Sequence, residues 1–79
     1  MELPPEVQSR ILDILQRFEF AALEWDGQEL TLISHIGESW SRHEFVAGSP
    51  AKQELDALDA FLTDNYFRQI FRIDKPPQE

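Results

Sequence analysis

One short stretch, residues 20–33, constrains the fold of this chain more than any other part of it. Two runs of strand-forming residues lie there, on either side of the dipeptide Asp26-Gly27. An Asp-Gly pair supplies the left-handed backbone conformations that a tight hairpin turn requires. The stretch therefore predicts an antiparallel β-hairpin in the first half of the sequence.

The hairpin fits two registers. A two-residue turn would pair Leu23 with Leu30, whereas a four-residue loop would pair Trp25 with Leu30. The two-residue turn would also set Glu24 opposite Glu29, which is an unfavourable like-charge pair. Because an even change in loop length preserves the alternation of side chains, both registers give the same two faces. The inner face, predicted to receive the helices, carries Ala21, Leu23, Trp25, Leu30, Leu32 and Ile36.

Helices are predicted before and after the hairpin. An apolar stripe and a proline-rich start predict the first helix over residues 5–18. Ser49-Pro50 begins the second helix, since serine is a good N-cap and proline suits the first helical position. Residues 66–73 fit both helical spacing and strand alternation. We favour a helix to about residue 72, followed by a frayed tail over residues 73–79.

A third antiparallel strand is predicted over residues 40–46. It follows Gly37-Glu38-Ser39, which has the composition of a turn. An even-numbered connection would place Trp40, Arg42 and Glu44 on the outer face of the sheet, whereas an odd-numbered one would reverse them. The sequence leaves the parity of this connection open.

These elements predict a single α+β domain over residues 1–79. Its order is α-β-β-β-α, an antiparallel three-stranded meander with two helices on one face. A chain this short has a narrow stability margin, and it contains no cysteine that could form a disulfide. Its stability must come from an apolar core, which we predict to include Ile11, Leu23, Leu32 and Leu58.

The charge of the chain is strongly negative. Seven Lys and Arg against fifteen Asp and Glu give a net charge of −8, and residues 19–38 hold five acids and no Lys or Arg. Such a charge repels nucleic acid and anionic membranes, and it can steer a basic partner, although solvation of the surface is the simpler interpretation. No secretory signal and no run of ~18 apolar residues is present, which predicts a cytoplasmic protein without a membrane span.

No catalytic, cofactor-binding or metal-binding residues are predicted. His35 and His43 do not have the spacing of a known metal motif, and no nucleophile elbow or phosphate-binding glycine loop is present. The three glycines, Gly27, Gly37 and Gly48, all fall at predicted turns. An enzyme is therefore the least favoured class of function.

The predicted outer face of the sheet keeps apolar residues that a solvated face does not need. Phe20 and Ile33 belong to it, and an even connection adds Trp40, Arg42 and Glu44. An aromatic anchor among charges of both signs is typical of protein interfaces. We interpret these five residues as a candidate protein-interaction surface, with a core role for Trp40 as the alternative.

The resulting functional hypothesis is a small acidic protein-binding module. It would act stoichiometrically, as an adaptor, inhibitor or immunity-type partner of a protein that carries basic groups. The alternative is a structural homo-oligomer, such as a homodimer, or a subunit of a larger complex. On the first hypothesis, Trp40→Ala should leave the domain folded and abolish binding of the partner or formation of the dimer.

Overall fold

Two helices and a four-stranded antiparallel sheet form the fold in the computed structural model, which describes residues 3–76. The strands lie in the order β3-β2-β1-β4. The predicted α+β class is confirmed, with one strand more than the sequence predicted. The elements in chain order are α1 (Pro5–Arg17), β1 (Ala22–Trp25), β2 (Leu30–Ile33), β3 (Ser39–Ser41), a 3-10 turn (Arg42–Glu44), α2 (Pro50–Tyr66) and β4 (Phe71–Asp74).

Both helices begin where the sequence predicted. Pro5 occupies the first turn of α1, and the helix ends at Arg17. At the start of α2, the Ser49 hydroxyl accepts a hydrogen bond from the backbone N–H of Lys52 at 3.2 Å. This bond satisfies one of the backbone donors that a helix N-terminus leaves free.

A single core lies between the two helices and the inner face of the sheet. The four predicted core residues, Ile11, Leu23, Leu32 and Leu58, are all fully buried in it. The buried side chains of both helices belong to the same cluster as those of the sheet, so both helices cover one face. The cluster consists of Leu3, Val7, Ile11, Ile14, Leu15, Leu23, Trp25, Leu30, Leu32, Leu55, Leu58, Leu62 and Phe71.

The hairpin between β1 and β2 has the four-residue loop. Trp25 pairs with Leu30, and Glu24 lies opposite Thr31 instead of opposite another glutamate. The side chain of Asp26 stabilises this loop, because its Oδ1 accepts hydrogen bonds from the backbone N–H groups two and three residues later, at 2.8 and 2.7 Å. Such Asx turns hold a loop in one conformation, and this one selects between the two registers.

The third strand is shorter than predicted. It ends at Ser41, and residues 42–44 form the 3-10 turn, so the prediction of a strand to residue 46 is wrong. The cause is local: the Glu44 carboxylate accepts a hydrogen bond from the Ser41 backbone N–H at 2.7 Å. This contact closes a capping box around the turn, which stabilises the 3-10 conformation immediately after Ser41.

The C-terminal segment is the second correction. The predicted helix to residue 72 is wrong, because α2 ends at Tyr66 and β4 pairs with β1. The turn between them passes through Arg68, whose φ of 66° is left-handed. Ile73 and Asp74 lie in β4 and are therefore not part of a frayed tail, while residues 77–79 of that predicted tail lie outside the described residues. Strand pairing wins here because it buries Phe71 beside Trp25.

Gly27 is where the hairpin loop meets the turn before β4. Its φ is 98°, and its carbonyl accepts a hydrogen bond from the Arg68 backbone N–H at 2.7 Å. A Cβ added at Gly27 would lie 2.9 Å from the Arg68 Cα. Two constraints therefore favour glycine at this position: the left-handed backbone conformation and the lack of space for a Cβ atom.

We predict that Gly27→Ala destabilises the domain more than Gly37→Ala does. Gly37 has a similar φ of 90°, but a Cβ there would meet nothing within 4 Å. The left-handed conformation should cost about 1–2 kcal/mol at either site, and only Gly27→Ala adds a clash with backbone. Urea denaturation of both variants measures the difference. Equal unfolding free energies would show that the Gly27–Arg68 contact is not tight.

Candidate interaction surface

The outer face of the sheet is polar. Within residues 3–76, the buried side chains of both helices pack against the inner face, on the opposite side of the sheet. Glu24 stands between its two cross-strand neighbours, Thr31 on β2 and Arg72 on β4. The Arg72 guanidinium contacts the carboxylates of Glu24 and Asp74, each at 2.9 Å. Hydrogen bonds to Asp74 and Glu24 raise the pKa of Arg72. These pairs are solvent-exposed and contribute little to stability, but they fix where the charges of this face lie.

An open groove of about 650 Å³ runs along this face. Ile70 lies in its wall, although 75% of this side chain is exposed to solvent. We call this feature the outer groove; it is lined by Glu24, Trp25, Asp26, Thr31, Ser39, Ile70, Phe71 and Arg72.

Asp26 stays ionised at one end of the outer groove. Hydrogen bonds from the backbone N–H groups of Gln28 and Glu29 hold the pKa of its carboxyl below the ordinary value. Such bonds favour the charged form because a carboxylate accepts them better than a carboxylic acid does. The same contact therefore shapes the hairpin loop and fixes a negative charge beside the groove.

Trp40 and Phe20 do not lie on the outer face, so their predicted placement is wrong. The connection between β2 and β3 has five residues, an odd number, and Trp40 pairs with Leu32 on the inner face. Phe20 precedes β1, which begins only at Ala22. Phe20, Trp40 and Phe45 form a half-buried aromatic cluster at the edge of the core, with ring centroids 5.8 to 6.4 Å apart.

Arg42 and Glu44 also lie away from the outer groove. Arg42 reaches α2, where it contacts the carboxylates of Asp56 at 2.7 Å and Asp59 at 3.3 Å. The hydrogen bond to Asp56 and the nearby charge of Asp59 raise the pKa of Arg42. Glu44 is occupied in the capping box of the 3-10 turn. These two side chains hold the turn and its attachment to α2.

Ile33 is the member of the predicted set that the structure leaves on the outer face, half-buried and opposite Ala22. The structure thus brings Phe20 and Trp40 together and separates them from Ile33. A role of these five residues in binding stays a prediction. Sequence reasoning missed Ile70 and Arg72, whose signal was the strand alternation in residues 66–73.

Residues 3–76 show neither a metal-binding cluster nor a membrane-spanning helix. In that part of the chain, no group of three or more His, Asp or Glu side chains is arranged to hold a metal ion. His43 makes one contact of 2.9 Å with Glu29. None of the helices that the structure describes is long and apolar enough to cross a membrane.

Comparisons of this chain with protein-family models, with curated proteins and with solved structures gave no significant match.

Trp40→Ala is now expected to destabilise the domain. The substitution removes the indole from the aromatic cluster and leaves Phe20 and Phe45 without their common neighbour. Because Trp40 is half-buried, we expect a loss near the low end of the range for large aromatic truncations, about 3 kcal/mol. Chemical denaturation followed by circular dichroism gives the value, and Trp40→Phe should recover part of it. An unchanged denaturation midpoint for Trp40→Ala would contradict this assignment.

Asp26→Asn should change how stability depends on pH. The folded-state pKa of Asp26 is below that of the unfolded chain, so its contribution is present above the unfolded pKa of about 3.9 and is lost as pH falls through the folded value. Asparagine keeps an oxygen acceptor but not the charge. We expect the wild-type protein to be more stable than the variant at pH 7, with the difference shrinking in acid. Thermal melting from neutral pH to about pH 2 measures this, and a difference that does not change with pH would contradict it.

Proposed function

We propose that this protein is a non-catalytic binding module whose outer groove receives a protein partner with basic groups and an apolar contact. It would act stoichiometrically, as an adaptor, inhibitor or immunity-type partner, and in the cytoplasm. The observation that carries the proposal is a sheet face on which no helix packs among the residues that the structure describes, and whose groove has an exposed isoleucine in its wall.

The charge of the outer groove favours a basic partner. Glu24 and Asp26 line it as carboxylates, and Asp74 lies beside them on the same face. Arg72 is the cation among them, and its guanidinium is already paired with Glu24 and Asp74. The face is therefore net negative, as is the chain at −8. Complementary charge of this kind accelerates encounter and favours one partner over others.

The apolar part of the proposed surface lies in the segment between α2 and β4. Phe67 and Ile70 are both exposed there, at 49% and 75%. An apolar contact surrounded by polar and charged groups is the usual arrangement of a protein interface. A partner that covers Ile70 would remove this side chain from water and set its own cations against Glu24 and Asp26.

The segment that carries Ile70 is held in place before any partner binds. The Arg68 backbone N–H bonds to the Gly27 carbonyl, and the Gln69 backbone N–H bonds to the Tyr66 carbonyl, at 2.7 and 2.9 Å. A surface fixed in advance loses less conformational freedom on binding. This supports recognition by a preformed groove over folding on contact.

Ile70→Lys should abolish partner binding, because lysine removes the apolar contact and adds a charge that repels a basic partner. The matched control is Ile36→Lys, since Ile36 is 82% exposed and does not line the outer groove. The candidate partners are the proteins of the native host that the wild type and Ile36→Lys capture but Ile70→Lys does not.

A purified candidate should then bind Ile70→Lys at least about tenfold more weakly than it binds the wild type, as expected for a contact worth about 1.4 kcal/mol. Its binding to the wild type should also weaken as salt is raised. A partner that binds Ile70→Lys and the wild type equally would contradict the proposed groove.

A further inference from the structure

The β4 strand has a free edge. Within residues 3–76 it pairs with β1 alone and stands at the end of the sheet order. The Lys75 backbone N–H donates to the Ala21 carbonyl at 2.7 Å, so residue 75 points its backbone groups toward β1. Because these directions alternate along a strand, Phe71 and Ile73 also point toward β1, and the N–H and C=O groups of Arg72 and Asp74 point away from it.

The side chains along this free edge are complementary to themselves. Arg72 and Asp74 lie on the outer face with opposite charges, and Ile73 lies between them on the inner face, opposite Leu23. A second β4 that runs antiparallel, with Ile73 opposite its own copy, would set each Arg72 opposite an Asp74. Oppositely charged cross-strand pairs stabilise a sheet, whereas like charges destabilise it.

We propose that a second copy of this chain adds to the free edge of β4, about a twofold axis at Ile73. In this register, Arg72 of one chain and Asp74 of the partner subunit exchange two backbone hydrogen bonds. The twofold axis repeats this exchange between Asp74 of the first chain and the partner's Arg72. Two Arg–Asp pairs form on the outer face, and two isoleucines meet on the inner face. The inference does not rest on the proposed function, because it concerns the free backbone edge of β4, although Arg72 also lines the outer groove.

Charge selects this register over its neighbours. A twofold axis at Arg72 would set the two arginines opposite each other, and an axis at Asp74 would do the same with the two aspartates. Both alternatives put like charges in direct cross-strand contact. Among the axes that fall on these three residues of β4, the one at Ile73 alone pairs opposite charges.

The same edge limits the assembly to two chains. Pro76 is the next residue after Asp74 whose backbone faces away from β1, and proline has no N–H to donate. A twofold contact also occupies both β4 edges, which closes the assembly. At the opposite end of the sheet, β3 has three residues and is followed by the 3-10 turn, so it offers little edge for further addition.

The test uses two charge-reversed variants, Asp74→Arg and Arg72→Asp, and sedimentation equilibrium of the purified proteins. The wild type should dimerise as its concentration rises. Each variant alone should dimerise at least about tenfold more weakly than the wild type, because Asp74→Arg sets arginine against arginine and Arg72→Asp sets aspartate against aspartate. Mixing the two should restore a 1:1 dimer, since each arginine then faces an aspartate.

Restoration on mixing separates the proposal from simple misfolding, since two unfolded variants would not form a defined dimer. Arg72→Asp also loses its pair with Glu24, so circular dichroism of each variant is the folding control. If Arg72→Asp does not fold, Asp74→Pro replaces it. Proline there removes an N–H of the free edge and leaves the bonds to β1, so dimer should be lost, whereas Ile36→Lys should dimerise normally.

A wild type that stays monomeric at every concentration, a dimer unaffected by Asp74→Arg, or variants that fold but do not associate when mixed would each overturn the proposal. Asp74 does not line the outer groove. A chain that binds another protein at the outer groove but does not dimerise would contradict this inference alone. A chain that dimerises but binds no other protein at the groove would contradict the proposed function alone.

Discussion

The burial of Trp25 is the interaction on which the rest of this structure depends. The side chain is 1% exposed, and its Nε1 donates a hydrogen bond to the Tyr66 carbonyl at 2.9 Å. That carbonyl belongs to the last residue of α2, where a helix leaves its acceptors without partners. One residue thus buries a large apolar surface and also joins the Gln69 N–H as a donor to the carbonyl at the end of a helix. Its two strand neighbours, Leu30 and Phe71, are buried with it.

This arrangement determines the shape of the outer groove. Because α2 ends against Trp25, the chain must turn before β4, and it does so through Arg68 beneath the hairpin loop. The bond between the Arg68 N–H and the Gly27 carbonyl holds these two loops together. The turn leaves Ile70 at the surface and brings β4 beside β1, where Arg72 meets Glu24. The groove and the free edge of β4 are therefore two consequences of the same chain reversal.

At the other end of the sheet, ion pairs hold the chain where strand pairing stops. Arg42 contacts two carboxylates of α2, Asp56 and Asp59, and Lys52 contacts Asp56 at 2.6 Å. The Asp59 side chain is 13% exposed, which makes its pair with Arg42 the most sheltered of this network. The network attaches the 3-10 turn to α2. Phe45 follows this turn directly and belongs to the aromatic cluster with Phe20 and Trp40.

The sequence by itself determined the features that local interactions fix: both helix starts, the hairpin at Asp26-Gly27, and the core positions of Leu23 and Leu58. Caps, turn residues and helical stripes act within a few residues, so they are legible in the sequence. The tertiary structure decided the features for which local preferences favoured two conformations equally or favoured none. These were whether residues 66–73 form helix or strand, and which face Trp40 occupies. The first depended on the distant edge of β1, and the second on the parity of one loop. Most of the candidate surface followed from these two decisions, because strand pairing is a contact between residues far apart in the chain, and no local pattern encodes the partner.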